Sequence, residues 1–124
     1  DAKNSGTLGR LILGLLIKSP QKIKLIGDKS LSKRDFSRIT KPLKKFGAKF
    51  YHKNDNKLPL SILGSKLVKG INYLENKGSA QCKTSIMFAA LNSSGTTSIK
   101  AKKSRNHTEL LFKIFKNTYK NKDN

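Results

Sequence analysis

The sequence predicts an α+β fold made of α/β-type repeats, with helices packed inside against sheets. Helical and alternating apolar patterns take turns along the 124 residues, in the order helix, strand, helix, strand, strand, strand, helix, strand, helix. Two of the predicted helices are apolar on nearly every side, and such helices must be covered by other elements on several faces. Packing helices together on one side of sheets provides that cover.

Five elements are predicted in the first half of the chain. In order, they are a helix over 5–17, a strand over 22–26, a helix over 34–46, and strands over 49–53 and 58–63. The first helix carries Leu or Ile on nearly all sides and should be mostly buried. The second has Phe, Ile and Leu at helical spacing and Gly47 as its cap, while Pro42 predicts a kink or a break. The strands alternate apolar and polar residues.

Four more elements are predicted in the second half. In order, they are a strand over 66–74 interrupted at Gly70, a helix over 79–91, a strand over 96–100 and a helix that begins at Asn106. Asn106 can cap this last helix, with Glu109 as its capping-box partner. Because the two halves run through a similar order of elements, we interpret the chain as one partial domain of two repeat units. The units cover about 1–64 and about 65–117, and a frayed tail covers 118–124.

The charge of the chain is strongly positive. Lys and Arg number 27 against 7 Asp and Glu, and the formal net charge is +20. A basic nucleic-acid-binding module is therefore one interpretation. However, only four of the basic residues are Arg and Trp is absent, whereas nucleic-acid binders use Arg forks and exposed aromatic rings. We favour a solvated basic surface without specific nucleic-acid binding and keep the module as an alternative.

The cysteine and histidine content and the length of the apolar stretches argue against a disulfide-bonded, a membrane-spanning or a metal-binding protein. The single cysteine, Cys82, excludes an internal disulfide and fits a reducing compartment, so we expect a cytoplasmic protein. The apolar stretch over 11–17 is too short to span a bilayer, and no membrane association is expected. His52 and His107 lack further ligand residues, so no metal site is expected. The chain begins at Asp1, directly before a motif, and we expect it to be a piece of a longer protein.

Four short segments place hydroxyl and amide groups beside a cation and close to the start of a predicted helix. They are Asn4-Ser5-Gly6-Thr7 with Arg10, then residues 30–34, then Ser79-Ala80-Gln81-Cys82-Lys83, and then residues 104–109. The unpaired N–H groups of a helix start and its dipole both favour negative charge. Three of the four arginines lie in these segments, whereas Arg38 is expected to be structural. The segments together predict a site for phosphorylated or carboxylated small molecules.

These four segments, in this order, resemble the motifs of the enolpyruvyl transferase family. The Ser-Ala-Gln segment at 79–81 and the Ser-Arg-Asn-His-Thr-Glu segment at 104–109 favour its shikimate branch, the EPSP synthases. The branch that acts on UDP-N-acetylglucosamine stays open as an alternative. The resemblance implies about two βαβαββ units of an N-terminal domain. It also implies transfer of the enolpyruvyl group of phosphoenolpyruvate to the 5-hydroxyl of shikimate 3-phosphate, without a metal or an organic cofactor.

The resemblance also implies roles for individual residues. The residues expected to bind phosphoenolpyruvate are Gly6, Arg34 and Gln81. Those expected to bind shikimate 3-phosphate are Ser79, Ala80, Gln81, Ser104 and Arg105. Supporting roles fall to Asn4, Thr7 and Arg10, of which Asn4 and Arg10 are expected to brace the first loop.

The sequence departs from the family's motifs at two positions and lacks the family's catalytic acids. Asp35 stands where the family has a proline and is expected to weaken anion binding by the neighbouring Arg34. Asn106 replaces the usual aspartate and can still cap a helix. No residue of this chain matches a catalytic acid of the family, so the isolated chain is expected to be inactive. Its expected partners are the two substrates and the remainder of its own polypeptide.

Overall fold

The fold was obtained as a computed structural model, which describes residues 1–102 and Asn106. Within these residues the elements, in chain order, are α1 (Gly6–Leu15), β1 (Ile23–Leu25), α2 (Lys29–Ser32), α3 (Ser37–Phe46), β2 (Lys49–His52), β3 (Leu60–Leu63), β4 (Asn72–Glu75), α4 (Ala80–Leu91) and β5 (Ser98–Ala101). The α+β class is confirmed. The predicted last helix and the tail lie outside the described residues, and the two repeat units stay a prediction.

The helix α1 packs closely along α4. Its N-cap is Ser5, whose hydroxyl accepts a hydrogen bond from the backbone N–H of Leu8 at 3.0 Å. Gly14 permits the close approach, because a Cβ at this position would overlap the backbone carbonyl of Ser85 on α4. Leu8 and Leu15 are about half exposed, so α1 is covered on fewer sides than its apolar sequence predicts. Among the described helices, none combines the length and apolar character needed to cross a bilayer.

The first sheet is antiparallel and has the strand order β1-β3-β2. Its central row pairs Ile23 with Ile62 and Ile62 with Phe50. The central strand β3 alternates buried and half-buried residues, and Leu60 and Ile62 face the core. That core is one continuous cluster, whose large fully buried members include Leu13, Ile17, Leu31, Phe36, Ile39, Leu43, Phe46 and Ile86.

The second sheet consists of β4 and β5, which are parallel. Parallel neighbours cannot be joined by a tight turn, and α4 provides the crossover between them. Cys82, the fourth residue in the segment that begins at Ser79, is buried in the core, as expected from its apolar neighbours. The N-terminus of α4 is thereby fixed beside α1.

The strand predicted over 66–74 is wrong for most of its length. Strand β4 begins only at Asn72, and Leu67 is 77 % exposed rather than packed inward. Val68 and Gly70 instead exchange backbone hydrogen bonds with Ser94, at 2.7 and 2.9 Å, around an isolated bridge. Most of the segment over 66–74 is therefore a connection that runs across the turn at Ser94, and not a strand of a sheet.

The helix predicted over 34–46 begins later and is not broken. A short helix, α2, precedes it, and α3 starts at Ser37 after the N-cap residue Phe36. Pro42 lies inside α3 and is buried. It removes one backbone N–H, but the helix continues to Phe46, whose buried side chain continues the apolar face of α3. Gly47 caps the helix with a φ of 122°, as predicted.

Candidate functional site

Two guanidinium groups meet at the first residue of α1. Gly6 is buried, and a Cβ placed on it would lie 2.7 Å from Nη1 of Arg10 and 3.0 Å from Nη1 of Arg34. Any other residue would therefore push into both cations. The missing side chain leaves the two donors side by side at a helix N-terminus, which is a favourable place for an anion.

Arg34 is exposed, and its guanidinium makes no hydrogen bond or ion pair with the described residues. Its neighbour Asp35 forms no ion pair with it among the described residues, and the expected weakening of anion binding stays a prediction. The Asp35 carboxylate instead accepts hydrogen bonds from the backbone N–H and the hydroxyl of Ser37, both at 2.8 Å. These two bonds lower the pKa of Asp35. The Arg34 guanidinium thus stays available for an external anion.

Gln81 joins α4 to α1 next to this pair of cations. Its Oε1 accepts a hydrogen bond from Nη1 of Arg10 at 3.0 Å, and its Nε2 donates to Oγ1 of Thr7 at 2.7 Å. The fold therefore brings together four predicted site residues, Gly6, Thr7, Arg10 and Gln81. Gln81 is more than seventy residues from Thr7 in sequence. The guanidinium of Arg10 donates its hydrogen bond to α4 and not to the first loop, and its expected role of bracing that loop stays a prediction.

The first loop is held instead through Asn4. Its side-chain Nδ2 donates to the Asp28 carboxylate at 2.8 Å, and the other Asp28 oxygen caps α2 by accepting from the Leu31 N–H at 2.8 Å. The Leu31 bond, followed by the Asn4 bond, lowers the pKa of Asp28. Asp28 links the first two predicted segments, and the sequence interpretation missed it as a site residue. An Asp just before a short helical run is an N-cap signal that could have found it.

The third segment forms the start of α4. Ser79 is the N-cap residue, and its hydroxyl oxygen accepts from the Cys82 N–H at 3.2 Å. Ala80 is the first helical residue. The Ser79 hydroxyl keeps its own proton, which it can donate to a ligand oxygen. The start of α4 is thus a helix N-terminus with a hydroxyl donor and the Gln81 amide beside it.

A buried carboxylate holds the chain that leads into Ser79. Glu75 accepts from Arg38 at 3.2 Å, from the Tyr73 hydroxyl at 2.9 Å and from the Lys77 N–H at 2.7 Å. Burial alone would raise the pKa of Glu75, but the hydrogen bonds and the Arg38 charge outweigh it and lower the pKa. Burial, together with Glu75, raises the pKa of Tyr73. Arg38 is thus a structural cation, as predicted.

Two of the predicted site residues lie outside the part of the chain that the structure describes. Ser104 and Arg105, predicted to bind shikimate 3-phosphate, lie outside the described residues, as does the helix that Asn106 would cap. Phe36, predicted only as a core residue, lies beneath Arg10, with its ring centroid 5.6 Å from the guanidinium carbon. In residues 1–102 and 106, no three His, Cys, Asp or Glu side chains are grouped so that they could hold a metal ion.

Comparison with known proteins first defines the class, which is that of the enolpyruvyl transferases. The profile of the family described as EPSP synthase (3-phosphoshikimate 1-carboxyvinyltransferase) matches residues 1–123. The chain belongs to this family. The resemblance stated from the four segments is therefore confirmed, and the UDP-N-acetylglucosamine branch is not favoured.

Individual relatives agree with the family assignment. The 3-phosphoshikimate 1-carboxyvinyltransferases of Aquifex aeolicus and Bacillus subtilis are both 43% identical to this chain over 117 residues, which is 93% of the chain and 27% of each relative. A solved structure of EPSP synthase from Acinetobacter baumannii matches 97% of the chain with a TM-score of 0.88 and 38% identity. The chain spans 27% of that structure as well.

Proposed function

We propose that the chain supplies part of the substrate site of an enzyme that moves the enolpyruvyl group of phosphoenolpyruvate to the 5-hydroxyl of shikimate 3-phosphate. The observation that carries the proposal is the meeting of Arg10 and Arg34 over Gly6, next to Gln81. Family membership supports the reaction, in which the 5-hydroxyl oxygen bonds to C2 of phosphoenolpyruvate and the bond between C2 and the phosphate oxygen breaks. The phosphate leaves as inorganic phosphate, and the hydroxyl proton balances its charge. The relatives that suggest it are longer than this chain.

Phosphoenolpyruvate is proposed to bind at Gly6, Arg34 and Gln81. The ligand carries a carboxylate and a phosphate, and a guanidinium binds either group with two parallel hydrogen bonds. Neither Arg34 nor Arg10 has an ion-pair partner among the described residues, but the Arg10 guanidinium is bonded to Gln81, which makes Arg34 the favoured anchor. The helix start at Gly6 adds backbone donors at close range, since no Cβ keeps the anion away.

Shikimate 3-phosphate is proposed to bind at Ser79, Ala80 and Gln81, together with Ser104 and Arg105. The hydroxyl of Ser79 and the backbone at Ala80 supply neutral donors at the start of α4. Gln81 lies beside both ligand positions and can serve as a donor to one and an acceptor from the other. This shared position is suited to holding a hydroxyl close to the enolpyruvyl carbon that it attacks.

We propose that the isolated chain binds substrates without turning them over. Transfer requires groups that exchange protons near neutral pH. The carboxylates of Asp28, Asp35 and Glu75 are all held as hydrogen-bond acceptors with lowered pKa values, which makes them poor proton donors there. The general acid and base are therefore proposed to come from other parts of the polypeptide. A cytoplasmic location without specific nucleic-acid or membrane partners completes the proposal.

Isothermal titration of the 124-residue chain with separate ligands tests the proposal. We expect saturable binding of shikimate 3-phosphate and of phosphoenolpyruvate, with no binding of UDP-N-acetylglucosamine. An enolpyruvyl transfer assay on the same sample should give no product. Single-stranded DNA should bind only at low salt, since nonspecific contacts weaken steeply as salt rises. Preference for the sugar nucleotide, or selective DNA binding that survives physiological salt, would overturn the proposal.

A further inference from the structure

We propose that α1 clamps the Gln81 side chain, and that Arg10, supported by Phe36, is a positioning residue that decides which end of the Gln81 amide faces each ligand. The identity of the ligands rests on the proposed function, but the clamp itself is a property of the ligand-free chain. Its parts come from three elements: Thr7 and Arg10 on α1, Phe36 at the start of α3, and Gln81 on α4.

The amide has one orientation because Arg10 has only donors. Gln81 presents Oε1 to Arg10 at 3.0 Å and Nε2 to Thr7 at 2.7 Å. A guanidinium cannot accept a hydrogen bond, so a rotated amide would direct N–H groups at N–H groups. The Thr7 hydroxyl can donate as well as accept and would tolerate either orientation. Arg10 is therefore the group that selects the orientation, and Thr7 only reinforces it.

Arg10 is itself held at both ends. Its guanidinium carbon lies 5.6 Å from the centroid of the fully buried Phe36 ring, within the range of a cation–π contact. Its backbone carbonyl accepts a hydrogen bond from the Ser85 hydroxyl of α4 at 2.8 Å. Gly9 lies against the same ring, since a Cβ on Gly9 would stand 3.4 Å from two ring carbons, at van der Waals contact.

The clamp leaves the rest of the amide for ligands. One Nε2 hydrogen and one lone pair of Oε1 remain after the two internal bonds are made. The free hydrogen suits an anionic oxygen and the free lone pair suits a hydroxyl, which are the two groups that the proposed substrates bring. A fixed amide therefore distinguishes donor from acceptor, whereas a freely rotating amide would not.

Side-chain NMR of the ligand-free chain tests the clamp directly. The chain has two glutamines, Gln81 and the exposed Gln21, so the second amide is an internal reference for a free side chain. In the parent chain, the Gln81 Nε2 hydrogens should differ in shift from those of Gln21 and exchange more slowly with water. Arg10→Met, which keeps a long apolar stem over Phe36, should move the Gln81 signals to those of Gln21.

Three further variants make the test specific. Thr7→Val removes the reinforcing acceptor and should speed the exchange of the Gln81 amide while leaving its shifts distinct from those of Gln21. Lys44→Met makes the same charge change at an exposed position of α3 and should leave Gln81 unchanged. Phe36→Leu should move the Gln81 signals part of the way while the backbone spectrum stays dispersed. Unchanged Gln81 signals in a folded Arg10→Met chain would overturn the clamp.

A ligand titration separates failure of the clamp from failure of the proposed function. Arg10→Met should weaken shikimate 3-phosphate binding about tenfold, as expected for loss of an oriented hydrogen-bonding group, and Lys44→Met should change it less than about twofold. If the parent chain binds neither substrate while its Gln81 amide is restrained, the proposed function is overturned and the clamp is supported. If the parent chain binds both and Arg10→Met binds equally well, the positioning role is overturned.

Discussion

The guanidinium of Arg34 lies over Gly6, with its Nη1 atom 3.0 Å from the point that a Cβ of residue 6 would occupy. Arg10 reaches the same point from within α1, at 2.7 Å. Two cations thus share one gap at a helix N-terminus, and this gap exists because residue 6 has no side chain. Neither guanidinium forms an ion pair among the described residues, although the Asp28 carboxylate lies near enough to interact with the charge of Arg34. Two like charges this close favour the binding of an anion between them.

The substitution Gly6→Ala should weaken phosphoenolpyruvate binding by about tenfold or more, since the methyl group displaces both guanidiniums and one charge-assisted contact is lost. Shikimate 3-phosphate, proposed to bind at the start of α4, should lose less affinity, because the displaced Arg10 affects it only through the hydrogen bond to Gln81. Calorimetric titration of the variant with each ligand gives the comparison. Equal losses for the two ligands would mean that Gly6 serves packing and not the anion.

The substitutions Arg34→Gln and Arg38→Gln should have opposite effects. Arg34 has no ion-pair partner among the described residues, so its loss should change the free energy of unfolding by less than about 0.5 kcal/mol. It should reduce phosphoenolpyruvate affinity about 10- to 100-fold. Arg38→Gln should destabilise the chain and spare binding, because Arg38 pairs with Glu75. Urea unfolding and calorimetry on both variants check this, and a reversed pattern would contradict the assignment of Arg34.

Acid should break the contact between Asn4 and Asp28, which links the first two predicted segments. The pKa of Asp28 is lowered by the Leu31 and Asn4 hydrogen bonds from an ordinary value of 3.8. The unfolded chain therefore takes up this proton first, and the contribution of Asp28 to stability is present above about pH 3.8 and lost below it. NMR shifts of the Asn4 side-chain amide, followed from pH 6 to pH 2, should report the loss only below that value. An Asn4 amide that titrates near pH 4.5 or higher would exclude the Asp28 contact.

The substitution Glu75→Gln should lower the free energy of unfolding by about 1–3 kcal/mol, because Arg38, Tyr73 and the Lys77 N–H lose a buried acceptor. Denaturant unfolding measures the change. Asp55→Asn, at an exposed carboxylate, is the matched control and should cost less than about 0.5 kcal/mol. Similar effects of the two substitutions would contradict a structural role for Glu75.

The hydrogen-bonded group of Glu75, Tyr73 and Arg38 should lose stability at both ends of the pH range. The lowered pKa of Glu75 makes its contribution present above about pH 4.5 and lost as the pH falls below it. The raised pKa of Tyr73 makes its contribution present below about pH 10 and lost as the pH rises above it. Tyr73→Phe should remove the alkaline part and reduce, but not abolish, the acid part, because the Tyr73 hydrogen bond is one of several causes of the lowered pKa of Glu75. Unfolding free energies measured across the pH range would contradict this if the variant kept the alkaline loss.

Local patterns predicted the helices and most strands because their signals lie within a few residues. The N-cap serines of α1 and α4 and the C-terminal Gly47 all act on the next turn of the chain, so they can be read from sequence. The prediction failed for the segment before β4 because the backbone hydrogen bonds of that segment go to Ser94, more than twenty residues away. No local pattern reports such a partner.

The sequence predicted residues that lie close together but not the contacts between them, and their ligand-binding roles stay predictions. The motif resemblance assigned Gly6, Arg34 and Gln81 to one site, and these residues do lie around α1 and α4. It could not reveal that Arg10 bonds Gln81, or that Asp35 is turned toward Ser37. Those outcomes depend on side-chain directions that are set by packing, which a motif does not contain.

An amide-resolved NMR titration of the chain with shikimate 3-phosphate, with inorganic phosphate as the control, tests the central claim most directly. We expect saturable shifts confined to the start of α4 and to Ser104 and Arg105, and no such shifts with phosphate alone. Equal shifts with both ligands, spread over the exposed lysines, would contradict it. The surface would then be a generic basic one, and no substrate site would be present in this chain.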